Sequence, residues 1–205
     1  MALNSARTRI CGALAILGGA LWAASWSFNS LTQDGTRAVF GLSERGWRRL
    51  LDPALAFLIV ALFAYRRRYS WPGSRAAVIG WSIAILGLLA MLVGNVIEFW
   101  IGELLYLDVP GQFKPTDHLG WALFLAGLMI LAGGLVVLGV AHFRSRIVPG
   151  WRGVLPLLMG LLPAVVLVVA TVAQAALGTV IFTLVFALGW VMLGYDLWSS
   201  ARRAA

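Results

Sequence analysis

Glu98 is the one carboxylate that lies well inside an apolar segment of this chain. Removing an ionised carboxylate from water costs several kcal/mol unless the group is paired or protonated, so such a residue is a candidate ligand, proton or cation site. Asn95 lies about one helical turn before it and adds a second polar group to the same region. The alternative is that Glu98 is a water-reached side chain near the end of a helix.

Further polar side chains are predicted on the same side of a membrane as Glu98, and they complete the candidate ligand or ion site: Asp52, Glu103, His118 and Gln174. We expect Glu98 to lie at the base of a shallow, outward-facing pocket that Asn95 and Gln174 line. His118, beside Asp117 and near Glu103, is either part of a second candidate metal or proton site at the outer face or an interfacial side chain without such a role.

Several kinds of chemistry are disfavoured by what the sequence lacks. The two histidines, His118 and His142, are 24 residues apart in one predicted helix, about 36 Å, which excludes joint haem ligation or a multi-histidine metal site. A single cysteine, Cys11, excludes an internal disulfide and a CxxC redox pair. No G-x-S-x-G, H-E-x-x-H or Walker phosphate-binding motif is present. We therefore predict no cofactor and no metal, and we favour a role other than catalysis.

Long apolar segments must position these side chains. Hydrophobic residues make up 61% of the 205-residue chain and charged residues only 12%, too few to cover a soluble domain of this size. About 20 helical residues cross the roughly 30 Å of hydrocarbon in a bilayer. The sequence predicts an all-α polytopic membrane protein, a six-transmembrane-helix bundle that occupies residues 1–205 as one transmembrane domain. The predicted spans are residues 10–28, 50–65, 76–101, 119–143, 154–172 and 177–195.

Three features of these spans need separate reasoning. Residues 154–195 form one apolar stretch about twice as long as a bilayer is thick, so a tight turn is predicted near residues 173–178. The second span is short, and its helix is predicted to begin with Ser43 as N-cap and to run through Arg48 and Arg49. The first span is long for the apolar core of a signal peptide, and we expect it to stay in the membrane rather than be cleaved.

The charges between the spans are sorted by sign. Eleven arginines fall on one side of a six-span arrangement: Arg7, Arg9, Arg66, Arg67, Arg68, Arg75, Arg144, Arg146, Arg152, Arg202 and Arg203. Seven of the eight acidic residues fall on the other: Asp34, Glu44, Asp52, Glu98, Glu103, Asp108 and Asp117. Basic loops stay in the cytoplasm, so both termini are predicted to be cytoplasmic. Four arginines in the loop before the second span run against this rule: Arg37, Arg45, Arg48 and Arg49.

The net charge of +8 does not indicate a nucleic-acid-binding protein. The arginines are clustered beside apolar runs, which is typical of membrane-flanking charge rather than of a binding stripe. All but one of the 16 basic residues are arginine, and Ala and Gly are abundant, which is typical of a GC-rich bacterial genome. The expected location is the inner (plasma) membrane of a bacterium.

The loop between the fourth and fifth predicted spans has a recognisable sequence pattern. Residues 144–153 have the sequence R-S-R-I-V-P-G-W-R-G, which resembles the R-x-R-x-x-P-x-W-x-G inner loop of several bacterial multi-span membrane protein families of unknown function. The resemblance covers about ten residues and their apolar flanks. It implies a six-helix inner-membrane protein and carries no activity with it.

Glycines recur every seven residues in the third and fourth spans: Gly80, Gly87 and Gly94 in one, and Gly120, Gly127 and Gly134 in the other. Stripes of small residues let the backbones of two membrane helices approach closely. We predict an antiparallel seam in which Gly94 faces Gly127 and Gly87 faces Gly134. This register places Glu98 level with Leu123.

Three functional classes fit these features. We favour a non-enzymatic membrane protein that binds membrane lipid, a small ligand or a partner membrane protein, because catalytic motifs are lacking. The first alternative is a small transporter or channel subunit, in the form of a homo-oligomer, with Glu98 as a proton or cation site. The second is an enzyme that acts on lipid at the outer face through carboxylates and His118.

Overall fold

The computed structural model describes residues 5–32, 39–69, 74–105, 115–146, 148, 150–173 and 176–202. Within these ranges the chain is helical almost throughout and contains no β-strand, which confirms the all-α prediction for the described residues. The helices are α1 (Ser5–Thr32), α2 (Glu44–Arg49), α3 (Leu51–Tyr69), α4 (Arg75–Val96), α5 (Gly102–Leu105), α6 (Pro115–Ser145), α7 (Trp151–Ala173) and α8 (Ala176–Arg202). A π-helical segment, Ile97–Ile101, joins α4 to α5.

Among the described residues, four helical stretches are long and apolar enough to cross a membrane: Ser5–Phe28, Arg75–Ile101, Pro115–Ser145 and Val180–Ser200. Trp151–Val166 is a shorter apolar stretch. The long apolar run near the C-terminus is divided where the sequence predicted a turn, because α7 ends at Ala173 and α8 begins at Ala176.

The corner between α2 and α3 follows from local sequence. Ser43 is the N-cap of α2, and its Oγ accepts a hydrogen bond from the backbone N–H of Gly46 at 3.4 Å, as predicted. The predicted continuous helix is wrong in one respect, because α2 ends at Arg49 and α3 begins at Leu51. Pro53 lies in the first turn of α3, where a missing N–H costs no helical hydrogen bond.

The long helices pack in chain order around a ring. Among the described residues, each of α1, α3, α4, α6, α7 and α8 contacts the next, and α8 closes the ring on α1. The start of α1 lies beside the end of α8, where Gly12 packs against the backbone of Gly194 and Trp198. We call this the terminal end of the bundle, and we call the other, which carries α2, α5 and the π-helical segment, the distal end.

The predicted glycine seam exists between α4 and α6, but the predicted register is wrong by one heptad. Gly80 lies against Gly134, Gly87 against Gly127 and Gly94 against Gly120. A Cβ atom on Gly87 would lie 2.4 Å from the backbone nitrogen of Leu131, so the helices touch through their backbones. The observed register brings three glycine pairs together, whereas the predicted one would bring only two.

A second seam, which the sequence analysis did not identify, joins α1 to α8. A Cβ atom on Gly12 would lie 2.6 Å from the carbonyl oxygen of Gly194, and one on Gly19 would lie 2.8 Å from that of Ala187. The two seams hold opposite sides of the ring.

Aromatic side chains fill the space that the ring encloses. Trp22 of α1 is fully buried and stacks on Phe124 of α6, with ring centroids 6.0 Å apart. The same indole also contacts Phe186 of α8 at 4.3 Å. Large, buried rings from three helices therefore meet in the middle of the bundle.

Candidate functional site

At the distal end, Asp52 is the centre of a hydrogen-bonded group. Its Oδ1 accepts from Asn95 Nδ2 at 2.8 Å, and its Oδ2 accepts from Trp100 Nε1 at 2.6 Å. Asn95 Nδ2 also donates to the backbone oxygen of Arg48 at 3.1 Å. The carboxylate thereby ties the first turn of α3 to the end of α4 and to the π-helical segment.

A second set of hydrogen bonds connects the π-helical segment to the corner between α2 and α3. Arg49 donates from Nε and Nη2 to the backbone oxygen of Phe99, at 3.3 and 3.1 Å. Its guanidinium lies 4.5 Å from the centre of the Trp100 ring. Segments of π-helix leave main-chain groups outside the regular ladder, and here one such carbonyl is used by an arginine from the neighbouring corner.

Arg48 occupies an aromatic box, which we define as the rings of Trp26, Phe99 and Trp121. The Cζ atom of Arg48 lies 4.3 Å from the Trp26 ring centre, 5.9 Å from Trp121 and 6.0 Å from Phe99. All three distances suit a cation–π interaction. The Nε–H of Arg48 is buried and has no hydrogen-bond acceptor among the described residues.

Glu98 lies beside this box. Its Cβ is close to Gly120 of α6, rather than level with Leu123 as predicted, because the seam register differs. Burial lowers the pKa of Arg48, and the Glu98 and Glu44 carboxylates act against that shift. Glu98 is half-buried and forms no hydrogen bond or ion pair with the described part of the chain.

The predicted site residues are thus only partly brought together. Asp52 and Asn95 are in direct contact, and Glu98 lies near Arg48. His118 is exposed in the first turns of α6. The side chain of Glu103 and the whole of Gln174 lie outside the described residues, so their part in the pocket stays a prediction.

At the terminal end a buried polar network links α3, α6, α7 and α8. Asp196 is only 1% exposed, and its Oδ1 lies 2.7 Å from Arg152 Nε. Tyr69 Oη donates a hydrogen bond to the other oxygen of the same carboxylate. Burial and this carboxylate raise the pKa of Tyr69, so the phenol keeps its proton.

A second pair lies beside it. Tyr65 Oη and His142 Nδ1 are 3.2 Å apart, and both side chains are fully buried. The sequence analysis did not identify this pair. The sequence feature that could have indicated this polar network is the spacing of Tyr65 and Tyr69, which are four residues apart and therefore lie on one face of α3.

An open cavity of about 660 Å³ lies between the end of α6 and the start of α7. Its lining includes His142, Arg144, Arg146 and Gly153. Arg144 and Arg146 are exposed and have no ion-pair partner in the described part of the chain. The described lining of the cavity is therefore basic, and Asp196, the acidic residue described at this end of the bundle, is paired with Arg152.

Within the described ranges, no group of three or more His, Cys, Asp or Glu side chains is placed to hold a metal ion. No protein-family model matches the chain, and no curated protein or solved structure is significantly similar to it.

Proposed function

We propose that this chain is a six-span bacterial inner-membrane protein, with both termini in the cytoplasm, that binds anionic lipid headgroups and catalyses no reaction. The observation that carries the proposal is the basic cavity between α6 and α7 at the terminal end. The remaining support comes from the helix lengths and the distribution of charge.

Six spans are supported by the order of the ring. Neighbouring helices run antiparallel, as the glycine contacts show for α4 with α6 and for α1 with α8. Helix α3 has 19 residues and α7 has 23, so their lengths of about 28 and 34 Å match a bilayer core. If α1 crosses the membrane, each following long helix returns across it.

Two of the four arginines that oppose the predicted orientation do not count as free loop charges. Arg48 and Arg49 at the distal end are held by aromatic rings and a main-chain carbonyl, so they are not free loop charges. In the sequence, eleven arginines are assigned to the terminal end, and only one acidic residue, Asp196, is assigned to the same end. That asymmetry favours a cytoplasmic terminal end.

Anionic lipid is the ligand that best fits this end. The cytoplasmic leaflet carries a negative surface potential, and basic pockets between membrane helices bind phosphate-bearing headgroups. Arg144 and Arg146 border an open cavity and have no carboxylate to neutralise them in the described structure. A phosphodiester of a lipid at the membrane surface would supply that charge.

Transport through Glu98 is the second candidate, because this half-buried carboxylate has no bonded partner among the described residues. Two features weigh against it. The nearest cation is the protein's own Arg48, and stacked aromatic rings fill the middle of the bundle where a water path would run. In proteoliposomes the proposed binding protein should therefore give no proton or cation flux, whereas the alternative requires a flux that Glu98→Gln removes.

The topology is tested by cysteine labelling in a Cys11→Ala background, because Cys11 is the one native cysteine. Leu104→Cys at the distal end, where the native side chain is 85% exposed, should react with a membrane-impermeant maleimide added outside intact cells. Arg75→Cys at the terminal end should react only after the membrane is opened. The reverse pattern, or labelling of both from outside, would contradict the arrangement.

Lipid binding is tested by native mass spectrometry of the purified protein in mixtures of phosphatidylglycerol and phosphatidylethanolamine. At about 1 kcal/mol for each basic residue, Arg144→Gln with Arg146→Gln should reduce phosphatidylglycerol retention roughly 30-fold. The control is Arg67→Gln with Arg68→Gln, which removes two exposed charges from the same end but away from the cavity. An equal loss in both double variants would mean diffuse attraction rather than a site.

A further inference from the structure

We propose that the aromatic box of Trp26, Phe99 and Trp121 is a binding site for a quaternary ammonium group, which enters as the Arg48 side chain leaves. The box lies at the distal end, away from the lipid cavity, and does not depend on the function proposed above. Its three rings come from α1, the π-helical segment and α6, so only the folded bundle assembles it.

The geometry of the box is suited to a cation. The Arg48 Cζ atom marks a position 4.3 to 6.0 Å from three ring centres, within the range in which ring faces attract positive charge. Trp26 and Trp121 are inclined to each other by 49° with centroids 6.2 Å apart, so their faces do not close on each other. Cages of this kind recognise quaternary ammonium ligands.

The guanidinium is an imperfect occupant of this box. Its Nε–H is buried without an acceptor in the described structure, and an unsatisfied buried donor carries a desolvation penalty. A quaternary ammonium group has no N–H, so it would satisfy the same rings without that penalty. Water at the surface would in turn satisfy the released guanidinium.

The countercharge for a ligand is already in place. Glu98 and Glu44 both favour a positive charge at the Arg48 position, although neither forms an ion pair with it among the described residues. These carboxylates would remain when Arg48 moves out, and they would act equally on an incoming cation. This explains why Glu98 lies where it does without a bonded partner.

The exchange is sterically simple. Arg48 lies in the last turn of the six-residue helix α2, and its long side chain can reach water from there. Trp121 is exposed and forms the open rim of the box. A trimethylammonium group could therefore enter from the membrane surface, either as a free solute such as choline or as the headgroup of phosphatidylcholine.

The experiment is a titration of the full-length protein in detergent with tetramethylammonium and with choline, followed by tryptophan fluorescence, with KCl as the ionic-strength control. Wild type should bind weakly, and Arg48→Gln about tenfold more tightly, because the internal competitor is gone. Arg48→Ala is a second variant of the same kind, and thermal melting establishes that each variant is folded. The matched control is Arg66→Gln, which removes a cation 4.3 Å from the single ring of Trp81 and should create no binding.

Two further experiments test whether the rings form the site and whether the ligand is a free solute or a lipid headgroup. Adding Trp121→Leu to Arg48→Gln should abolish the gained binding. A fluorescence response to choline supports a free solute, and a response only in nanodiscs of phosphatidylcholine, not phosphatidylglycerol, supports a lipid headgroup. The proposal is overturned if both folded Arg48 variants bind no more tightly than wild type in every arm, or if Trp121→Leu leaves the binding unchanged.

Discussion

The neighbouring glycines Gly133 and Gly134 of α6 should respond in opposite ways to the same substitution. A Cβ atom on Gly134 would lie 2.4 Å from the backbone nitrogen of Ala84 and 2.8 Å from the carbonyl oxygen of Gly80. These are main-chain atoms of α4 and cannot rotate away. A Cβ atom on Gly133 would have no neighbouring atom within 4 Å.

The magnitude follows from these distances. Ordinary carbon contacts are about 3.5–4.0 Å, so Gly134→Ala must separate α4 from α6 by roughly 1 Å. Overpacking of this kind costs about 1–3 kcal/mol, and at the upper end it lowers the melting temperature of a chain of this size by roughly 6–12 °C. Gly133→Ala meets open space and gains helix propensity of up to about 1 kcal/mol, so its melting temperature should stay or rise.

The assay is thermal unfolding in detergent followed by intrinsic fluorescence, for which the chain offers ten tryptophans. Gly87→Ala should reproduce the loss, since a Cβ atom there would lie 2.4 Å from the backbone of Leu131. Equal melting temperatures for Gly133→Ala and Gly134→Ala would refute the seam.

Three further outcomes are expected. Asp196→Asn should lower the free energy of unfolding by about 3–5 kcal/mol, measured by denaturant titration, because Arg152 is left without its partner; a loss below 1 kcal/mol would contradict a buried pair. The raised pKa of Tyr69 means that its contact with Asp196 contributes stability in full below the ordinary phenol pKa of about 10, and that this stability is lost as pH rises through the higher folded value. At neutral pH, Tyr69→Phe should therefore lower the free energy of unfolding by about 1–2 kcal/mol in the same denaturant titration, and an unchanged stability would contradict this contact. Asp52→Ala should cost about 1–2 kcal/mol, because the Trp100 Nε1–H loses its acceptor and Asn95 Nδ2 keeps only the backbone oxygen of Arg48, while Glu98→Gln should cost less than 1 kcal/mol in the same melting assay; a Glu98→Gln cost as large as that of Asp52→Ala would mean that Glu98 has a bonded partner.

Much of the fold could be predicted because its signals are local. The Ser43 cap depends on a side chain and a backbone N–H three residues away, and the break after Ala173 follows from the length of an apolar run that one helix cannot use. The glycine stripes of α4 and α6 could be identified by their heptad spacing alone. The half-buried carboxylate of Glu98 was also visible in the sequence, together with the Asp52 and Asn95 that the structure joins.

The register of the seam could not be predicted from the sequence, because a stripe that repeats every seven residues is compatible with several alignments of two helices. The tertiary structure selected the one in which all three glycine pairs meet, and this moved Glu98 from Leu123 to Gly120. The choice follows from close packing, since each additional pair of glycines lets the backbones touch over another two turns.

The sequence by itself determined that this chain is helical, apolar and sorted by charge, because hydropathy and helical period are properties of short stretches. Only the tertiary structure decided which charges meet. Arg152 rather than Arg144 or Arg146 pairs with Asp196, and Arg48 enters a box whose rings come from three separate segments. Such partners are distant along the chain, and their contact depends on how the ring of helices closes, which no local pattern encodes.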